Sequence, residues 1–144
     1  MTPIAHLASH LVHVRDGRHL LVRRAGTPYR AGYLSCVAGR VEPGETPRSA
    51  LVREVAEEIG LVVRADDLAF RTLVHNRVGS AIWQSFFFEL TSLPAEPTIC
   101  EPAKIAEIGY FDLAAVAVET VPYVHAALTR GVVYLEMEEA GVEG

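Results

Sequence analysis

Leu- and Val-rich runs from His6 to Val14 and from His19 to Arg23, separated by Asp16-Gly17, predict a strand, a tight turn and a strand. After a loop carrying Gly26, Pro28 and Gly32, the run Tyr33 to Ala38 reads as a further short strand ending at Gly39. The period then changes from two to 3.6. Thr46 suits an N-cap, Pro47 the first helical position and Gly60 a C-terminal cap, so a helix is predicted from Pro47 to Ile59. Phe70 to Val78 and Ala81 to Leu90, flanking Gly79-Ser80, predict a second hairpin. Pro94, Pro97 and Pro102 mark a loop. Ile105 to Phe111 reads as a last main strand, Val121 to Thr129 as a C-terminal helix and Val132 to Leu135 as a short extended piece. The sum is a mixed α/β domain built largely from antiparallel hairpins.

Length and composition narrow the class. At 144 residues the chain fits one domain, residues 1–144, able to bury its own core. A formal charge of -5 argues against a coat for nucleic-acid polymers, which needs many Lys and Arg contacts to phosphate. No apolar run is long enough to span a membrane, and His6, His10, His13 and Arg15 stand where a signal peptide needs its apolar stretch, so a cytoplasmic protein is expected. Cys36 and Cys100 lie in apolar surroundings without metal-type spacing and read as two buried, reduced thiols.

Candidate chemistry concentrates on the long helix. At 100° per residue, Glu54, Glu57 and Glu58 project together beside Ala50, while Leu51, Val52, Val55, Ala56 and Ile59 fall on the other side. Like charges at these spacings repel, and a hard divalent cation is their natural counter-ion, because Mg²⁺ takes carboxylate and water oxygens and is usually completed by phosphates. Alone, the trio also fits a solvated acidic face. Upstream, Gly39-Arg40-Val41-Glu42-Pro43-Gly44-Glu45 forms a glycine-bearing loop, and Arg53 precedes the acids.

Together Gly39, Glu45, Arg53, Glu54, Val55, Glu57, Glu58, Gly60 and Leu61 resemble the Nudix box at every specified position. With each residue type at roughly 6% usage, such a match arises by chance about once in 10⁹ positions. The Phe86–Phe88 run, Tyr110-Phe111-Asp112 and the C-terminal helix extend the resemblance over nearly the whole chain. It implies a Nudix-type α/β/α sandwich with a mixed, largely antiparallel sheet. It also implies hydrolysis of a diphosphate bond in a nucleoside diphosphate linked to another moiety, with Mg²⁺ or Mn²⁺ as cofactor.

The implied metal ligands are Glu54, Glu57, Glu58 and the carbonyl of Gly39. Arg53 completes the catalytic set through a pair with Glu45 that ties loop to helix. The general base is Glu54, or a loop glutamate, Glu96 or Glu101; Glu42 is either a further ligand or faces water. Arg23, Arg24, Arg40 and Arg77 are candidates for phosphate contact, because an arginine fork suits phosphate oxygens. Trp83 leads Tyr33 and Phe86 as a base-stacking candidate, and His75 is a candidate substrate contact. Asn76 and Val78 stand where subfamilies acting on ADP-ribose or dinucleoside polyphosphates carry proline or tyrosine; the substrates the resemblance implies are a nucleoside triphosphate, a nucleotide sugar or ADP-ribose, the first two being preferred. The rival function is a non-catalytic nucleotide sensor of the same fold. The resemblance is also compatible with a homodimer.

Overall fold

The computed structural model describes residues 1–139. Its elements are β1 (His6–Val12), β2 (Val14–Arg15), β3 (Arg18–Arg24), β4 (Leu34–Ser35), β5 (Ala38–Arg40), α1 (Pro47–Ile59), β6 (Ala69–Val78), β7 (Ala81–Glu89), β8 (Ile105–Phe111), α2 (Pro122–Thr129) and β9 (Tyr134–Glu139). Five strands form a mixed sheet in the order β5-β1-β7-β6-β9, with β1 parallel to β7 and β9 parallel to β6. A smaller antiparallel sheet is built around β3, which pairs with β2 and β4 along one edge and β8 along the other.

Side-chain alternation along the strands gives the mixed sheet two covered faces. Leu11, Phe86 and Phe88 join the cluster under α1 with Leu51, Val55 and Ile59. Their neighbours in sequence, Val12 and Phe87, join Val74, Val121 and Val124 under α2 on the opposite face. The helices therefore flank the sheet, as the resemblance implies.

Three expectations are corrected. The run from His6 to Val14 does not pair as one arm of a hairpin: β1 lies in the mixed sheet, and only the two residues of β2 fold back on β3, through Asp16 (φ 53°) and Gly17 (φ 76°). The chain changes sheets at His13, whose ring Nδ1 bonds the Leu90 carbonyl at 2.8 Å and whose own carbonyl accepts from the Leu20 N–H. Tyr33 to Ala38 likewise divides, β4 joining the small sheet and β5 the mixed one. The terminal extended piece runs on from Leu135 to Glu139, because Leu135, Met137 and Glu139 alternate inward opposite Val74, Asn76 and Val78.

Candidate active site

Helix α1 begins in a capping box. The Thr46 hydroxyl accepts from the Ser49 N–H at 3.1 Å, and the Ser49 hydroxyl accepts from the Thr46 N–H at 2.9 Å. Gly60 closes the helix at φ 73°, donating to the Ala56 carbonyl. The Ser9 hydroxyl on β1 donates to the Pro47 carbonyl at 2.6 Å and fixes the first turn on the sheet. These contacts set the rotation of the helix, and with it where the acids point.

The two faces are less cleanly divided than the helical wheel suggests. Ala56 is exposed, whereas Glu58 is only 8% exposed and sits at the border of the core. Its carboxyl is pushed up to about 8, first by burial and then by Glu54 and Glu101 nearby, against a backbone hydrogen bond from Ala38. Glu58 Oε2 and Glu101 Oε1 are buried without a partner. Burial also raises Glu54, with Arg53 opposing it. On β5, the space a Cβ on Gly39 would fill is taken by the Glu54 carboxyl group, so glycine lets backbone and carboxylate meet.

Arg53 binds this region together. Its Nε and Nη2 donate to Glu45 at 2.7 and 2.9 Å, its Nη1 to Glu54 at 2.7 Å and Glu57 at 3.3 Å, and its Nη2 also to the Arg40 carbonyl at 3.0 Å. All five guanidinium N–H groups are thereby engaged. The Arg53 hydrogen bonds, helped by the Glu42 N–H, hold the Glu45 carboxyl down at about 2.

Glu101 reaches the helix from the proline-marked loop, where the Cys100 N–H donates to the Glu58 carbonyl at 3.0 Å and the Thr98 N–H to Ile59 at 3.1 Å. Glu96 is elsewhere, paired with Arg15 at 2.9 Å, and Glu42 is exposed. The residues fit a divalent cation: hard oxygen donors crowd together, two of them orphaned and buried, beside a glycine cradle. Among the described residues no three acidic or imidazole side chains already converge at ligand distance, because Glu54 and Glu57 are each turned toward Arg53.

The other candidates are dispersed. Arg40 alternates to the opposite face from Gly39 and lies over Trp83, 5.2 Å from the ring centroid, with the His6 ring tilted against the same indole at a centroid distance of 4.6 Å. Asn76, buried with an unpartnered Oδ1, pairs with Trp83 across β6 and β7 on that face. Arg23 is engaged by Glu107 at 2.7 Å, Glu119 at 3.3 Å and the Gly32 carbonyl. Arg24 bonds the Tyr29 carbonyl, and Arg77 is exposed on β6 between Ile82 and Glu138. Tyr33 lies under Arg30, Phe86 packs into the α1-side core, and His75 bonds Gln84. Cys36 is buried as expected, but Cys100 is exposed: the loop that docks on Gly60 leaves its thiol at the surface. Lys104, absent from the sequence candidates, stands three residues after Glu101; that spacing from an acid on a proline-marked turn is its signal in the sequence. Among the described residues no helix is long and apolar enough to cross a membrane.

Comparison with known proteins agrees with this geometry. Residues 5–131 match the model of the NUDIX domain. The CTP pyrophosphohydrolase of Escherichia coli is 47% identical over 47 residues, covering 33% of this chain and 35% of that protein. The ADP-ribose pyrophosphatase of Methanocaldococcus jannaschii is 34% identical over 101 residues, covering 69% of this chain and 57% of that protein. The chain thus spans less than two thirds of the length of either relative. The crystal structure of a MutT NUDIX hydrolase from Burkholderia pseudomallei superposes with a TM-score of 0.79 at 24% identity, over 90% of this chain and 99% of that one. With the domain model matched across most of its length, the chain belongs to the Nudix family.

Proposed function

We propose that this chain is a pyrophosphohydrolase that uses Mg²⁺ or Mn²⁺ to cleave a diphosphate bond in a nucleoside diphosphate linked to another moiety. The observation that carries the reading is the Glu58 carboxyl, buried with a free oxygen beside Glu54 and Glu101. Buried carboxyl oxygens of Glu58 and Glu101 left without a hydrogen-bond partner at a core border call for a cation. The names of the two enzyme relatives support the same reaction class.

Glu54, Glu57, Glu58 and the Gly39 carbonyl would hold the cation, which when bound neutralises phosphate oxygens and acidifies a water. Glu101, with Oε1 unpartnered, is favoured over Glu96 as the group that takes the proton from the attacking water. Arg53 acts at one remove, holding Glu54 and Glu57 in place from its anchor on Glu45. Gly39 and Arg40 face opposite sides of the edge strand β5, so a substrate can wrap that edge, its diphosphate toward α1 and its base toward Trp83, Arg40 and Asn76. Nucleoside triphosphates or nucleotide sugars are the proposed substrates, and the cytoplasm the proposed location.

The test is a panel of nucleoside triphosphates, nucleotide sugars, ADP-ribose and dinucleoside polyphosphates assayed with Mg²⁺ for released phosphate and pyrophosphate. Turnover that Glu57→Gln lowers by about 10²-fold or more is expected. Metal-dependent binding without turnover of any of them would replace the enzyme by a nucleotide sensor.

A further inference from the structure

Four acids gather at the C-terminal half of α1, and a diphosphate would bring more negative charge to them. Arg53 cannot meet that charge, because its five donors are engaged. Arg40 lies over Trp83 on the other face of the sheet, and Arg23 is closed by two glutamates. The remaining cation at the site is Lys104, the only lysine in the sequence.

Its position is built. The Lys104 N–H donates to the Glu101 carbonyl at 2.9 Å, and the Lys104 carbonyl accepts from the Ala25 N–H at 2.9 Å. Gly26, at φ 63°, lets this turn sit close, since a Cβ there would overlap the Ala103 carbonyl. The Cys100 N–H on the Glu58 carbonyl pins the other end. One tight turn therefore presents Glu101 and Lys104 together to the helix. The Lys104 ammonium stands 3.7 Å from Glu101 Oε2, past hydrogen-bond length, with its side chain 67% exposed.

We propose that Lys104 is the phosphate clamp of this site, its ammonium contacting the non-bridging oxygens of the diphosphate while Glu101 keeps it within reach. The proposal rests on the pyrophosphohydrolase reading above. It places the clamp on the loop after the helix rather than among the arginines that the sequence suggests.

A single lysine makes the test direct. Reductive methylation with ¹³C-formaldehyde labels Lys104 and the α-amino group alone, and Lys104→Arg assigns the two signals. Pyrophosphate is then titrated with Mg²⁺ present, by NMR on the labelled protein and by calorimetry on the unlabelled one. A shift of the Lys104 signal, with affinity about tenfold weaker in Lys104→Met but within about threefold of wild type in Lys104→Arg, is expected for a charge-assisted contact. Binding that leaves the Lys104 signal unmoved and is unchanged in Lys104→Met overturns the clamp alone. Failure of Mg²⁺ and pyrophosphate to bind the wild-type protein overturns the parent reading together with it.

Discussion

The carboxyl group of Glu54 occupies the space that the Cβ of any residue but glycine would need at position 39. Strand β5 and helix α1 meet there at backbone-to-carboxylate range, and a proposed carbonyl ligand comes within reach of a proposed carboxylate ligand. Gly39→Ala should therefore displace Glu54 and lower kcat about 10²-fold, while the fold, read by circular dichroism, stays. Wild-type turnover in this variant would remove Gly39 from the site.

Arg53 grips Glu45 with a two-pronged contact while a third nitrogen holds Glu54 and Glu57. Lysine carries the charge but not the fork. Arg53→Lys and Glu45→Gln should each reduce kcat by about 10–100-fold with a smaller change in KM, since neither residue is proposed to touch substrate. A rise in KM that accounts for the whole fall in kcat/KM, with kcat intact, would mean that Arg53 binds substrate directly.

Trp83 is the only tryptophan, half-exposed between His6 and Arg40. A nucleobase stacked there should quench the intrinsic fluorescence. Trp83→Ala should raise KM roughly tenfold or more, in line with a stacking contribution of about 1–3 kcal/mol per base, and leave kcat nearly unchanged. Titration with a nucleotide that binds without changing the emission would place the base elsewhere.

His10 lies under α2, its Nε2 2.8 Å from the Tyr123 hydroxyl and its ring stacked on Phe87 at 4.4 Å. Burial first, and the Arg24 charge second, depress its pKa to about 3. His19 is shifted in the same direction by burial. The unfolded chain binds the proton near pH 6.5 and the folded one does not, so this stability is complete above that pH and is lost as the pH falls from about 6.5 toward 3. For His10, each pH unit within the window removes up to about 1.4 kcal/mol. Urea midpoints at pH 7, 6 and 5 should fall steeply for wild type and less steeply for His10→Gln. Parallel slopes would contradict the assignment.

The helix and its acids were legible because their determinants are local. Thr46, Pro47 and Gly60 mark the ends, and the spacing of Glu54, Glu57 and Glu58 sets one face. Sheet membership was not legible. The shift of chain at His13 depends on the Leu90 carbonyl, distant in sequence, and β9 is a strand only because β6 offers it a parallel edge. The burial of Glu58 and the proposed preference for Glu101 over Glu96 rest on a loop docked by two backbone hydrogen bonds to the end of α1. No periodicity announces such contacts. Arg23 shows the converse, an attractive cation by type whose fork is closed by Glu107 and Glu119 from other elements.

The central claim is that the acids of α1 form a divalent-metal site. The most direct measurement is a Mn²⁺ titration followed by electron paramagnetic resonance on wild type, Glu57→Gln and Glu58→Gln. Saturable binding in the wild type, weakened about tenfold or more in both variants, is the result expected of shared carboxylate ligands. Binding of equal strength in all three proteins, or none in the wild type, would contradict it.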